Sequence, residues 1–274
     1  LSLSNYLNDQ LVFYLSFAVS LAGLVQLLFL IYFVKKYFIP SLSFKFNIDD
    51  KVRLFFKKLL PSIFSSGVTQ INILVGTIIA SFQASAVSYL YYADRIYQIN
   101  LAIAGIAVGT VSLPILSEAI KRKNIFKVSN IQNRSIELSL LLSIPASLGL
   151  IIASEQIVNA LFGYGSFSKE NVIMTAAALK FFGYGIPAFA LIKVLSNFFF
   201  ARNNTKIPFY LSVFVVALNV SLSLIFFKDV GFIIIPIATS LSTWAGVLVY
   251  LFLLSRNRFL LLQTMFFKNI VKIF

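Results

Sequence analysis

The stretch Phe209–Phe227, FYLSVFVVALNVSLSLIFF, contains no charged residue, and neither does Gly231–Leu254, GFIIIPIATSLSTWAGVLVYLFLL. A helix rises about 1.5 Å per residue, so each stretch is long enough to cross the roughly 30 Å of hydrocarbon in a bilayer. A transmembrane barrel would show alternating segments of about ten residues instead. These two stretches predict helices that span a membrane.

The composition of the whole chain agrees with this prediction. Of its 274 residues, 59% are hydrophobic and 12% are charged, whereas an ordinary soluble domain carries roughly 25% charged residues. Such a chain lacks the polar side chains needed to cover a water-facing surface. Lipid offers no hydrogen-bond partners to the backbone. A chain that crosses the membrane must therefore pair its backbone N–H and C=O groups within itself, as a helix does. The sequence predicts an all-α fold, a polytopic bundle of transmembrane helices.

Seven apolar stretches predict seven spans. They are Leu11–Val34, Leu59–Phe82, Val87–Leu116, Ile136–Ala153, Val172–Phe200, Phe209–Phe227 and Gly231–Leu254. The apolar tail Phe259–Phe274 contains Lys268 and Lys272, which predicts an interfacial helix or a truncated eighth span. The chain begins at Leu1 without the basic start of a secretory signal, so we expect it to be an internal part of a longer membrane protein.

Basic residues alternate between the loops that connect these spans. Nearly all loop lysines and arginines fall on one side, and the opposite loops contain only Lys169 and Lys228. Cytoplasmic loops carry this excess, which predicts that the chain starts outside and ends in the cytoplasm. The net charge of +14 follows from the same loops, and it predicts attraction to anionic membrane lipids rather than to nucleic acid.

Glycines and prolines within the predicted spans indicate where helices bend or approach closely. Gly183, Gly185 and Pro187 predict a bend in the fifth span, as found in transporters. Gly105 and Gly109 form a small-xxx-small step in the third span, which predicts close packing against a neighbouring helix.

Few residues could carry chemistry inside the membrane. The chain has no cysteine and no histidine, which excludes disulfides, thiolate catalysis and the usual ligands of zinc and haem. Apart from Glu137, at the very end of one predicted span, Asp94 is the one carboxylate within the spans, and Arg95, Lys180 and Lys193 are the basic residues there. An enzyme acting on lipid-linked sugars would need an acid/base pair or a metal cluster, which this set does not supply.

Arg95 is the most informative of these charges. An arginine inside a span costs about 2.5–3.5 kcal/mol, so it should face a partner or an aqueous cavity. The polar residues Tyr91, Asp94 and Gln98 surround it in sequence. Adjacent residues of a helix do not face each other, so Asp94 is a poor direct partner, and a free guanidinium suits a phosphate. The alternatives are that Arg95 pairs with a backbone carbonyl or extends its side chain to the membrane interface. We interpret Lys180 and Lys193 in the second way, with each ammonium group reaching an interface.

Several motifs together resemble a known family of membrane transporters. The helix Tyr91-Tyr92-Ala93-Asp94-Arg95-Ile96-Tyr97-Gln98, with Gly105, Gly109-Thr110 and Leu113-Pro114 after it, resembles the signature helix of MurJ/MviN-type lipid II flippases. The similarity continues through Leu161–Phe167 and Phe199–Pro208, and upstream through Gln70-Ile71-Asn72 and Ala80-Ser81-Phe82. It covers nearly the whole chain, and the Ala-Asp-Arg helix is its specific part.

The resemblance implies an architecture and a function. Residues 1–58 would be the last helix of a first lobe and a basic cytoplasmic linker, residues 59–255 a second six-helix lobe, and residues 256–274 an interfacial or truncated helix. The family moves lipid II across the inner membrane through a cationic cavity between its lobes. By that resemblance Arg95 binds the pyrophosphate of the polyprenyl lipid, with Asp94, Tyr91 and Gln98 as its cavity neighbours. The missing N-terminal lobe would lie before Leu1.

Some relatives resemble cation-coupled carriers, which implies a sodium site in the lobe. The matching positions are Gly76, Asn219, Ser223, Ile235 and Thr239, of which Asn219 and Thr239 are the candidate ligands. A hard cation prefers carboxylate oxygens, and these positions carry none, so we expect neither a metal nor another cofactor. Coupling to the membrane potential is the alternative.

Three alternative functions differ in how well they agree with this sequence. A related exporter of drugs or of another polyprenyl-linked saccharide would share the fold but would not need the Ala-Asp-Arg motif. A membrane-embedded enzyme lacks the required side chains, as described above. A purely structural scaffold would leave the intramembrane arginine unexplained.

Overall fold

The computed structural model describes residues 2–35, 49, 52–53 and 70–261, and no strand occurs among them. The chain divides into two compact units, Leu1–Phe56 and Lys57–Phe274. In the first unit, α1 (Ser2–Val34) is one unbroken helix. Most of the predicted basic linker and the predicted tail helix after Leu261 lie outside the described residues.

The described part of the second unit is a bundle of helices. Its α-helices are α2 (Gln70–Ala80), α3 (Ala86–Leu101), α4 (Val108–Lys121), α5 (Ile125–Ile152), α6 (Ser154–Phe162), α7 (Lys169–Phe200), α8 (Lys206–Val230) and α9 (Ile234–Arg256). A π-helical segment, Ala102–Ala107, joins α3 to α4, so that Ala86–Lys121 forms one long helix. A 3-10 turn at Gly231–Ile233 joins α8 to α9.

Five helical stretches of the described residues are long and apolar enough to cross a membrane. They are Ser16–Val34, Ala86–Lys121, Ile125–Ile152, Lys169–Phe200 and Lys206–Arg256. The last one contains the predicted sixth and seventh spans, α8 and α9, which are separated at Gly231 by a φ of 71°. Helix α2 is the described part of the second predicted span. The prediction of an all-α polytopic bundle is confirmed.

The turn at Gly231 is tied to the turn between α2 and α3. The backbone N–H of Phe232 donates to the side-chain oxygen of Gln83 at 2.8 Å. A Cβ on Gly231 would lie 2.9 Å from the same oxygen, and its positive φ also favours glycine. The reversal between α8 and α9 therefore requires glycine at this position.

Helix α7 lies at the centre of the bundle and packs against α3, α5 and α9. Its buried residues contribute to two hydrophobic clusters. One contains Leu179, Phe182 and Ile186, and the other contains Val194, Leu195 and Phe198. The second cluster lies at the end of the bundle that carries the turns Arg122–Asn124 and Ala201–Thr205, which we call the basic end.

Glycines of the fifth and third predicted spans allow neighbouring helices to approach. Helix α7 is continuous through Gly183, Gly185 and Pro187, and the bend expected there stays a prediction. Gly185 admits a neighbour, since a Cβ on it would lie 2.6 Å from Ser240 Oγ. The predicted close step is confirmed, since a Cβ on Gly105 would lie 3.1 Å from Ala190 Cα.

Helix α6 lies in residues 154–171, where the predicted fourth and fifth spans leave only a loop between them. The residues around it pack onto α3 through aromatic rings. The ring of Tyr92 lies 4.8 Å from that of Phe162 and 5.3 Å from that of Phe167, measured between centroids. The loop after α6 is thereby fixed to the helix that carries Arg95.

At the basic end, polar side chains hold the backbone that follows α9. Gln132 is fully buried, donates to the carbonyl oxygen of Phe259 at 2.8 Å and accepts from the N–H of Leu261 at 3.2 Å. Ser129 donates to the carbonyl oxygen of Leu261 at 2.7 Å. We call Ser129, Gln132, Phe259 and Leu261 the α9 clamp.

Arg202 adds to this clamp from the turn between α7 and α8. Its guanidinium donates to the carbonyl oxygens of Phe198 at 2.7 Å and Phe259 at 3.2 Å, and it lies 4.4 Å from the centre of the Phe259 ring. Burial lowers the pKa of Arg202 from its ordinary value, because burial penalises the charged form. Carbonyl oxygens compensate part of that penalty.

Candidate functional site

Arg95 lies on α3, nine residues after the first residue of the helix, which corresponds to about 14 Å along its axis. Its neighbours Ala93, Ile96 and Tyr97 are buried in the bundle, whereas the side chain of Arg95 is exposed. The buried face of α3 therefore leaves the guanidinium on an open side of the second unit. It forms no salt bridge with any residue that the structure describes.

Two residues of the same helix hold the guanidinium. Its Cζ lies 4.6 Å from the centre of the Tyr91 ring, a cation–π contact across one helical turn. Its Nη1 donates a long hydrogen bond of 3.4 Å to the side-chain oxygen of Gln98. These contacts orient the guanidinium without neutralising its charge.

Asp94 is connected to Arg95 indirectly. The side-chain NH₂ of Gln98 donates to the carboxylate of Asp94, and the oxygen of the same amide accepts from Arg95. Gln98 thus lies between the two opposite charges. This agrees with the expectation that adjacent residues on a helix are poor direct partners. The structure brings together the four predicted cavity residues Tyr91, Asp94, Arg95 and Gln98.

Tyr97 fixes the rotation of α3 against α7. Its ring stacks on Phe182 with 5.3 Å between centroids and meets Phe189 edge to face at 5.2 Å. The hydroxyl of Tyr97 is buried and has no hydrogen-bond partner within the described part of the chain. With Tyr97 packed inward, Arg95 and Tyr91 must lie on the outer side of the helix.

Lys180 and Lys193, the other basic residues of the predicted spans, are both exposed on α7. Neither forms a hydrogen bond or a salt bridge with a side chain in the described ranges. They are not part of the cluster around Arg95, which lies on another helix.

The candidate cation ligands Asn219 and Thr239 lie in one polar cluster between α2, α8 and α9. The side-chain oxygen of Asn219 accepts a long hydrogen bond from Ser223 at 3.4 Å and lies 3.5 Å from the hydroxyl of Thr239, which donates to the carbonyl oxygen of Ile235 at 2.7 Å. Its NH₂ group donates to the side-chain oxygen of Asn72 at 2.8 Å. We call Asn72, Asn219, Ser223 and Thr239 the amide cluster.

The amide cluster does not fit a sodium ion. The side-chain oxygens of Asn72 and Asn219 already accept hydrogen bonds within the cluster, the cluster has no carboxylate, and a hard cation needs anionic or dense oxygen ligands. The other matching positions, Gly76 and Ile235, face each other, with 3.8 Å from a Cβ on Gly76 to Ile235 Cγ2. Among the described residues, no group of three or more acidic, histidine or cysteine side chains could hold a metal.

The sequence predicts no role for Asn72 in this cluster, although Asn72 lies within one of the family motifs. An asparagine in an apolar stretch is a signal for a buried hydrogen-bond partner. Nothing in the sequence showed that its partner lies on α8, because that pairing depends on how α2 packs.

Comparisons with known proteins agree with the resemblance of the sequence. The family "Lipid II flippase MurJ" matches residues 1–274. A probable lipid II flippase MurJ of Rhizobium meliloti is 40% identical, with coverage of 86% of this chain and 44% of the relative. That of Rickettsia prowazekii is 35% identical, with coverage of 88% and 47%. The chain spans about half the length of the curated relatives that it matches.

Solved structures show the same fold. A lipid II flippase MurJ in an inward closed conformation matches with a TM-score of 0.72 at 29% identity, with coverage of 84% of this chain and 47% of that one. A multidrug transporter of the MATE family matches with a TM-score of 0.64 at 19% identity, covering 77% and 49%, which shows a similar fold only. The match over its full length shows that the chain belongs to the lipid II flippase MurJ family of multi-pass membrane transporters.

Proposed function

We propose that the full-length protein containing this chain moves lipid II across the bacterial cytoplasmic membrane by alternating access. Residues 59–255 form the second lobe in this proposal, and α1 is the last helix of the first lobe. Family membership and the curated relatives support the substrate, since they are named as lipid II flippases. The positive-inside pattern supports an orientation with the start of the chain outside and the basic end in the cytoplasm.

The observation that carries the proposal is the exposed guanidinium of Arg95, about 14 Å along a transmembrane helix. Within the described residues it is held by a tyrosine ring and an amide rather than by a carboxylate. Arginine at such depth is expected to face a polar partner or a water-filled cavity. A planar fork of donors fits the oxygens of a pyrophosphate, so we assign Arg95 as a ligand of the lipid pyrophosphate.

The neighbours of Arg95 have supporting roles. Gln98 shields Arg95 from Asp94, because its amide bonds to both side chains. Tyr91 restricts the guanidinium through its ring face. Asp94 would repel an anion, and its hydrogen bond to Gln98 keeps its charge away from the exposed side of Arg95. The site therefore presents a positive charge to the substrate.

No chemical step is required of these residues. The protein moves its lipid without breaking a bond in this proposal, so we assign neither a catalytic residue nor a cofactor. Because the amide cluster does not fit sodium, no step of transport is routed through a cation site.

A flipping assay tests the proposal in the full-length protein. We expect Arg95→Ala to reduce the appearance of lipid II at the outer leaflet at least about tenfold, since a charge-assisted bond is lost, and Arg95→Lys to retain part of it. Arg122→Ala is the matched control, because Arg122 is an exposed arginine that directly follows the same long helix and pairs with Glu118 at 2.6 Å. Normal flipping by Arg95→Ala would remove Arg95 from the mechanism.

A related exporter of drugs or of other polyprenyl-linked saccharides is the second candidate. The structural similarity to MATE transporters supports it at the level of the fold alone. Rescue of a flippase-depleted strain separates the two candidates. Lipid II transport predicts restored cell-wall synthesis and growth. A drug exporter would instead make the cells resistant to a drug without rescuing their growth.

A further inference from the structure

A groove of about 530 Å³ runs between α5 and the long helix Ala86–Lys121. Ile103, Val111 and Ile115 line one wall, and Ile131, Leu138 and Leu142 line the other. The π-helical segment contributes Ile103 and Ala107 to the first wall. Segments of π-helix inside α-helices occur frequently at functional sites.

The length of the groove matches one leaflet of a membrane. It extends over twelve residue steps on each helix, from Ile103 to Ile115 and from Asn130 to Leu142, which corresponds to about 18 Å. One leaflet contains about 15 Å of hydrocarbon. An acyl chain that lies along the groove would therefore be in contact with it over nearly its whole length.

The polar groups of the groove are concentrated toward its basic end. Ser112 and Ser135 donate to carbonyl oxygens of their own helices, at 3.2 Å and 2.7 Å. Asn130 and Arg134 line the groove on the first turns of α5, are exposed, and form no hydrogen bond or salt bridge with the residues that the structure describes. They leave an amide and a guanidinium for a ligand.

We propose that this groove binds an anionic phospholipid of the membrane. One acyl chain lies between α5 and the long helix, and the phosphate accepts hydrogen bonds from Arg134, with Asn130 beside it. Basic pockets between transmembrane helices on the cytoplasmic side bind anionic headgroups in this way. Charge complementarity at one end and apolar walls along the rest select a phospholipid over a soluble anion. This inference does not depend on the substrate proposed above.

Fluorescence quenching by brominated lipids tests the proposal in the full-length protein. Trp244, the single tryptophan of these 274 residues, and every tryptophan in the rest of the full-length protein are first replaced by Phe, and Ile115→Trp then places a reporter at the groove. In separate samples the vesicles contain the same small fraction of brominated phosphatidylglycerol or brominated phosphatidylcholine. One arginine corresponds to about fivefold enrichment of an anionic lipid. We expect phosphatidylglycerol to quench the reporter with about that preference.

Three matched variants complete the test. Leu248→Trp, an exposed position of α9, should be quenched equally by both lipids. Arg134→Gln should abolish the preference at the groove, and Arg134→Lys should keep most of it. Equal preference before and after Arg134→Gln would overturn the proposal. A reporter that neither lipid quenches would also overturn it, since a protein segment would then fill the groove. Displacement of the brominated lipid by stoichiometric undecaprenyl phosphate would overturn it as well.

Discussion

The side-chain NH₂ of Asn197 donates a hydrogen bond to the carbonyl oxygen of Gly109 across 2.7 Å. Asn197 is buried on α7, and Gly109 lies on the first turn of α4 after the π-helical segment. A Cβ on Gly109 would approach the same NH₂ group to 3.2 Å. The absence of a side chain at residue 109 therefore permits the bond that joins the two helices.

Asn197→Ala should destabilise the protein, because it removes a buried interhelical hydrogen bond. The expected loss is about 1–2 kcal/mol in the free energy of unfolding. Thermal melting in detergent measures it. Thr110→Ala is the control, since the exposed Thr110 donates only to Ile106 on its own helix. An equal melting temperature for both variants would contradict the structural role of Asn197.

Gly246→Ala should lower the stability of the protein and Gly149→Ala should raise it, although both glycines lie inside helices. A Cβ on Gly246 would lie 2.6 Å from Val215 Cγ2 and 3.1 Å from Ile192 Cδ1, whereas a Cβ on Gly149 meets nothing within 4 Å. Overpacking of this kind costs about 1–3 kcal/mol. At Gly149, alanine should stabilise the helix by about 0.5–1 kcal/mol. Melting temperatures that move in the same direction would be inconsistent with the packing of α8 against α9.

The sequence predicted the helices well and their interruptions poorly. Long uncharged stretches such as Phe209–Phe227 identify spans because the hydrocarbon thickness fixes their length. The π-helical segment at Ala102–Ala107 has no comparable signal, since its sequence AIAGIA suits an ordinary helix. Conversely, Gly185 and Pro187 suggest a broken helix, yet α7 is continuous through both residues.

The candidate site was predictable to the extent that it lies on one helix. Tyr91, Arg95 and Gln98 are three or four residues apart, and helical geometry alone brings such residues together. The α9 clamp and the amide cluster join residues distant in sequence. Gln132, for example, contacts a segment more than a hundred residues later, and only tertiary packing brings the two together.

Gln132→Leu should release the backbone that follows α9. The substitution keeps the approximate volume of the side chain but removes its hydrogen bonds to Phe259 and Leu261. Hydrogen exchange of the Leu261 amide should accelerate strongly, while exchange in the middle of α9 stays unchanged. Gln156→Leu, on the exposed side of α6, serves as the control. Unaltered exchange at Leu261 would mean that Ser129 and Arg202 hold the segment without Gln132.

Gln98→Leu should weaken transport without removing Arg95. Leucine cannot hold the carboxylate of Asp94 by a hydrogen bond, so the charge of Asp94 would repel the anionic substrate beside Arg95. We expect a loss of lipid II flipping of a few-fold, smaller than that of Arg95→Ala. The double variant Gln98→Leu with Asp94→Asn should recover most of the loss. A double variant as impaired as Gln98→Leu would show that Gln98 does not act through Asp94.

Sodium should not stabilise this protein, because the side-chain oxygens of Asn72 and Asn219 already accept hydrogen bonds and no oxygen of the amide cluster is anionic. The melting temperature should be the same in sodium and potassium chloride at equal ionic strength. Asn219→Asp supplies the missing carboxylate beside Thr239 and Ser223, and it should make the melting temperature rise in sodium relative to potassium, as expected when a ligand binds the folded state. Adding Thr239→Val should remove that difference. A sodium-dependent rise in the unaltered protein would mean that the amide cluster rearranges to bind the cation, and transport would then have to be tested for sodium coupling.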